Sequence, residues 1–116
     1  MRRLLLRSLL LVLGLAACGD ASLDPLPLDV SVEASRATAA PGATINFVVN
    51  AQGGSLVGIE IVYDDGGDDR YPTGGARTAR VTFYHAYAAS GVYRVRATVT
   101  DALAGTKDAS VEVRIE

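Results

Sequence analysis

The chain has 116 residues, with 11 Lys and Arg against 13 Asp and Glu, a formal net charge of −2. That length suits one domain and is short for two. The acidic balance carries no electrostatic footprint for nucleic acid, and one cysteine with one histidine leaves neither an intramolecular disulfide nor a zinc set.

Taken in chain order, MRRLLLRSLLLVLGLAAC places Arg2, Arg3 and Arg7 before an apolar run from Leu9 to Ala17, then Cys18. Those are the charged, apolar and small-residue zones of a secretory signal. The run falls short of the roughly 20 apolar residues that span a bilayer. Leu15-Ala16-Ala17-Cys18 resembles the lipobox of bacterial lipoproteins. The resemblance implies that residues 1–17 are cut away and that Cys18 is diacylglycerated and usually acylated. An ordinary signal with a chance cysteine is the alternative, but a lone thiol in an exported chain then has no role. More than one acyl chain is what stable anchoring requires.

Losing those three arginines from 11 basic residues leaves 8 against 13 acidic, a charge of about −5. Such a chain is not drawn to anionic headgroups; the lipid does the anchoring. Gly19 stands where aspartate tends to retain lipoproteins of enteric-type bacteria at the inner membrane. Localisation is therefore expected in the cell envelope: at the outer membrane if the host has one, otherwise on the outer face of the plasma membrane.

Residues 18–27 include Pro25 and Pro27, have no period and read as a tether. From residue 28 to 116 the dominant period is two. Leu28, Val30 and Val32 form the first apolar set; Ile45, Phe47 and Val49 follow the Pro41-Gly42 turn. Val57, Ile59, Ile61 and Tyr63 are the third, and Val81 with Phe83 the fourth. Tyr93, Val95, Ala97 and Val99 alternate with Arg94, Arg96, Thr98 and Thr100, and Ala109 to Ile115 repeats the pattern. Short strands at near-regular spacing, each with one apolar face, predict an all-β antiparallel sandwich.

Several motifs resemble, in order, those of PKD domains, which are immunoglobulin-like sandwiches. Pro41-Gly42-Ala43-Thr44-Ile45-Asn46-Phe47 is similar to P-G-x-x-V-x-F, and Ile61-Val62-Tyr63-Asp64-Asp65-Gly66 stands where the family has W-x-F-G-D-G. His85-Ala86-Tyr87 matches H-x-Y, Gly91-Val92-Tyr93-Arg94-Val95 matches G-x-Y-x-V, and Thr98-Val99-Thr100-Asp101 matches T-V-x-D. The resemblance implies a sandwich of about seven strands over residues 28–116. Two departures stand out: Ile61 replaces the tryptophan, and Asp64 replaces the first glycine of G-D-G.

The matched residues have physical roles of their own. Ile61 and Tyr63 read as core, Asp65-Gly66 as the turn after their strand, and Tyr87 as part of the H-x-Y match. Gly91-Val92-Tyr93 resembles a tyrosine corner, with the phenol bonding back to the preceding connection. His85 shares the parity of Val81 and Phe83 and reads as an inward, hydrogen-bonded strand-end residue. Asp101 precedes a hairpin turn, where aspartate accepts from turn amides.

Asp64, Asp65, Asp68 and Asp69 lie within six residues, on what reads as one exposed loop. Neighbouring like charges at about 4 Å in water repel by roughly 1 kcal/mol per pair. Solvent and salt can relieve that, as can Arg70, Arg77 and Arg80 folding over the loop, or a bound calcium ion. Clustered hard oxygens suit Ca²⁺, but the spacing is not that of an EF-hand loop. A solvated turn without cofactor and a calcium site both stand at this point.

No nucleophile elbow accompanies the lone histidine, and adjacent carboxylates on one loop do not make a glycosidase pair. The sequence predicts a non-enzymatic, lipid-anchored module that binds protein in the envelope or outside the cell through loops or a sheet edge. The alternative is a carbohydrate- or calcium-binding accessory, with Tyr71 and Tyr84 as the aromatic candidates for polysaccharide.

Overall fold

The computed structural model describes residues 26–116; the expected signal segment (residues 1–17), Cys18 and most of the expected tether lie outside the described residues. Every regular element among them is a strand: β1 (Asp29–Ala34), β2 (Thr38–Ala39), β3 (Thr44–Val62), β4 (Asp68–Ala86), β5 (Gly91–Asp101) and β6 (Gly105–Ile115). β3 is central. Its first half pairs antiparallel with β1, from Asp29↔Gln52 to Ala34↔Phe47, and its second half with β5, from Leu56↔Asp101 to Val62↔Arg96. β4 pairs along the whole of β3, β6 runs antiparallel to β5, and the short β2 joins β6 in parallel at Thr38↔Arg114 and Ala39↔Ile115.

One continuous sheet becomes two layers because β3 and β4 bend together. Between Gln52↔Thr78 and Leu56↔Ala76, residues 53–55 face a single residue of β4. Between Leu56↔Ala76 and Gly58↔Pro72 the excess passes to β4, where Gly74 and Gly75 take positive φ of 61° and 86°. Unpaired residues kink a strand and raise its twist. The sheet curls at this point, and β1 packs face-on against β5 and β6. Val30, Val32, Phe47 and Val49 thereby share one core with Ile61, Val95, Val99 and Val113. Burying each such side chain stabilises the fold by about 1.5–3 kcal/mol. The architecture is the expected immunoglobulin-like all-β sandwich.

The turns are as their residues dictate. Pro41 and Gly42 (φ 85°) form a turn closed by Ala43 N–H donating to the Ala40 carbonyl at 3.1 Å. Proline pre-sets the first central position and glycine supplies the left-handed second one.

Three local expectations change. The strands predicted around Ile45–Val49 and Val57–Tyr63 are one strand, β3, which simply bulges at Gly53-Gly54-Ser55. The bulge shifts the phase, so Leu56 is fully buried while Val57, expected inside, is 53% exposed. Asp68 and Asp69, expected on the loop with Asp64 and Asp65, instead begin β4. Most of β4 before Phe83 is exposed on both parities, because only β3 pairs with it; it therefore carries no alternating signal.

Candidate functional site

The residues singled out by the sequence gather at the β3–β4 turn, against the start of β5. Asp64 adopts φ 72° and Gly66 φ 92°, so the turn uses two left-handed positions. Aspartate is among the few side chains that tolerate that region. Asp64 stands where a glycine would meet no strain, and its Oδ2 accepts from the Arg94 N–H at 3.0 Å. Asp65 Oδ1 accepts from Gly67 N–H at 3.0 Å, an Asx-type closure. Tyr63 N–H donates to the Gly67 carbonyl at 3.1 Å and completes the turn.

Behind the turn is an aromatic stack. The His85 imidazole lies parallel to Tyr63, centroids 3.8 Å apart, and edge-on to Tyr87 at 4.7 Å. Tyr87 in turn stacks on Tyr93 at 4.2 Å, and Phe47 packs against Tyr63. Each polar tip has a partner. His85 Nε2 is 2.7 Å from Asp65 Oδ2; Tyr63 O–H donates to Asp69 Oδ2 at 2.7 Å; Tyr87 O–H donates to the Tyr63 carbonyl at 2.9 Å. Tyr93 O–H donates to the Ala89 carbonyl at 2.8 Å, the geometry of a tyrosine corner, with Gly91 beneath its ring.

The electrostatics follow from these contacts. Partial burial pushes the Asp65 carboxyl up, but hydrogen bonds from His85 and the Gly67 amide outweigh it and hold it below the ordinary carboxylate range. Burial, then the Asp69 carboxylate, drives the Tyr63 phenol far above the ordinary tyrosine range. Tyr87 is raised as well, by burial and then by the charges of Asp65 and Asp64. Both phenols are held as hydrogen-bond donors, not poised as acids.

Three of the four clustered carboxylates thus serve three different partners. Two of the three arginines are engaged elsewhere: Arg70 pairs with Glu60 at 3.0 Å and Arg80 donates to Asn50. His85, a phenol and backbone amides hydrogen-bond the carboxylates there instead. Among the described residues no three His, Cys, Asp or Glu side chains gather in a metal-holding group.

Asp101 closes the opposite end. It is buried, with Oδ1 accepting from Ser55 N–H at 2.6 Å and Oδ2 from Leu103 and Ala104 N–H at 2.9 Å each. The Ser55 amide above all, with the turn amides, holds its carboxyl below the ordinary range. One carboxylate therefore fastens the β5–β6 turn to the β3 bulge. Gly53 permits this, since a Cβ there would sit 2.7 Å from Asp101 Oδ1. The turn amides were legible in the sequence. The link to Ser55 was not, although Gly-Gly inside an apolar alternation signals a bulge or close approach.

Tyr71 and Tyr84 are 49% and 63% exposed, but they stand thirteen positions apart on β4. Tyr71 pairs with Ile59 and Tyr84 with Asn46, on opposite sides of the bend, so the two rings belong to different layers and form no shared platform. Tyr71 instead borders a shallow groove of about 430 Å³ with Val57, Gly58, Pro72, Thr98 and Thr100. The Glu60–Arg70 ion pair walls one side. The groove exists because Gly58 has no side chain on the outward parity of β3.

No family model matches the sequence, and no curated protein does. Solved structures do. The PKD domain of an M14-like peptidase from a Thermoplasmatales archaeon is 23% identical with a TM-score of 0.68, over 79% of this chain and 98% of that one. The fold is immunoglobulin-like, of the PKD and CARDB type. A CARDB domain from Pyrococcus furiosus, solved in complex with di-metal ions, is 17% identical with a TM-score of 0.58, over 77% of this chain and 92% of that one. The PKD domain of the human VPS10 domain-containing receptor SorCS2 is 23% identical with a TM-score of 0.55, covering 79% and 74%. Within this fold, Tyr63, His85, Tyr87 and Tyr93 form one aromatic stack.

Proposed function

We propose that the chain is a lipid-anchored, non-catalytic binding module of the cell envelope, held by acyl chains on Cys18 and engaging a partner protein. The observation that carries the binding reading is the groove over Gly58. Val57 and Tyr71 are large apolar residues left exposed beside it, and Pro72, Thr98 and Thr100 line it without charge. Such a dip takes an apolar side chain of a partner, while the Glu60–Arg70 pair at its wall orients polar contacts. The conspicuous polar residues at the β3–β4 turn are engaged in holding the fold, which supports a non-catalytic role.

A photo-crosslinking residue at Thr98 in intact cells tests this. Recovery of one partner protein that is lost when Gly58→Val fills the groove supports the reading. A Cβ at Gly58 meets only the Tyr71 carbonyl, at 3.4 Å, so that variant is expected to fold, and its melting curve checks it. Recovery undiminished by Gly58→Val would place the partner elsewhere. Retention on insoluble polysaccharide, abolished by Tyr84→Ala, would favour the carbohydrate reading instead.

A further inference from the structure

The chain comes into the sandwich at the end that also carries its most exposed large apolar side chain among the described residues. Gln52 Nε2 donates to the Pro27 carbonyl at 3.2 Å, Lys107 Nζ to the Leu28 carbonyl at 3.5 Å, and Lys107 pairs with Asp29 at 3.4 Å. Residues 27–29 therefore run beside the start of β6 and the β3 bulge. Asp101 ties the β5–β6 turn to the same bulge, reinforced by Ala102 N–H donating to the Ser55 carbonyl at 2.9 Å. Incoming chain, bulge and turn share one end.

That end is apolar at its tip. Leu103, in the middle of the Ala102–Ala104 turn, is 75% exposed, and Leu26 is also exposed. Turns ordinarily carry polar residues; this one, Ala-Leu-Ala-Gly-Thr, has no charge. Of the charges around it, Asp101 accepts from three amides and Lys107 pairs with Asp29, while Asp108 on β6 is exposed.

The tether decides what covers the tip. Leu26 lies eight residues after Cys18, and an extended chain of that length reaches at most about 28 Å. β5 and β6 are eleven residues each, so the opposite end stands about 36 Å farther out. We infer that the Ala102–Leu103–Ala104 turn, with Leu26 at the same end of the sandwich, rests in the headgroup region of the bilayer. The inference relies on the lipid-anchor reading of Cys18. A single leucine is a weak membrane ligand in free solution. Here the anchor has already brought the domain to the surface, so insertion proceeds at the high effective concentration of a short link. The Asp64–Gly67 turn and Ser90 then face away from the membrane.

The full chain, purified from bacterial membranes and reconstituted in phosphatidylethanolamine and phosphatidylglycerol vesicles, tests the inference. The mass of the Cys18 peptide first reads acylation. A thiol-reactive fluorophore is then placed on Ala104→Cys or, as the far-end control, on Ser90→Cys; the lipid blocks the native thiol. Brominated lipids should quench the label at 104 several-fold more than the label at 90. Adding Leu103→Ser, with an unchanged melting temperature, should bring the signal at 104 down towards that at 90. Equal quenching at the two positions on an acylated chain overturns the inference and leaves the anchor standing. A chain without acyl groups overturns both.

Discussion

His85 lies flat on Tyr63, ring centroids 3.8 Å apart and planes within 2°, while its Nε2 meets Asp65 at 2.7 Å. The imidazole thus joins the β3–β4 turn to the end of β4 by packing and by hydrogen bond at once. Removing it costs the stacking and leaves Asp65 with one donor fewer, about 1–3 kcal/mol together. His85→Ala is expected to lower the denaturation midpoint accordingly with an unchanged slope. A midpoint equal to wild type would show that the stack contributes nothing.

Acid should unfold this domain through Asp65 and Asp101. Both carboxyls are depressed in the folded state. Each contributes stability that is present above its unfolded value, about 3.9, and lost as pH falls through its lower folded value. Stability should therefore be level near neutrality and decline below about pH 4. Asp101→Asn is expected to be less stable at neutral pH, with a flatter acid limb in chemical denaturation across pH. A limb as steep as wild type would mean that Asp101 is not among the groups that drive acid unfolding.

Asp64 sets a left-handed backbone against a side-chain hydrogen bond. Asp64→Gly loses the bond to Arg94 N–H but relieves the φ of 72°. It should come out within about 1 kcal/mol of wild type. Asp64→Ala loses the bond and keeps the strain, so it should be the less stable of the two by about 1 kcal/mol. Thermal melts of the pair check the order, and alanine above glycine would refute the strain argument.

Calcium offers a direct check on the acidic cluster. Asp64, Asp65 and Asp69 each hold a different protein donor, and an ion would have to take oxygens from those bonds. A ligand present at 100 times its Kd adds about 2.7 kcal/mol of stability. Melting curves in millimolar calcium and in chelator are expected to superimpose. An upward shift of several degrees with calcium would restore the metal site.

Much of this was readable from residue order, and for local reasons. Period-two alternation placed Val30, Phe47, Ile61, Val95 and Val113 in the core, since a strand with one buried face must alternate. Pro41-Gly42 marked a turn because the two residues supply the dihedrals it needs. Tyr93 declared its bond to Ala89, and Asp101 those to Leu103 and Ala104, because those partners lie only a few residues away along the chain. The first half of β4 was silent. With one strand pairing it and neither face covered, no burial pattern is imposed on residues 68–80.

The sequence by itself determined the all-β class and the core faces of most strands. Each depends on a local pattern of side chains. Only the tertiary structure decided that two expected strands are one, and that Val57 points out while Leu56 points in. A bulge reverses parity at a single residue, and an alternation read across it does not show the slip. Only the fold, too, dispersed the aspartates. Asp64 answers to Arg94, Asp65 to His85 and Asp69 to Tyr63. Those partners lie 30, 20 and 6 residues away along the chain, and packing alone brings them into reach.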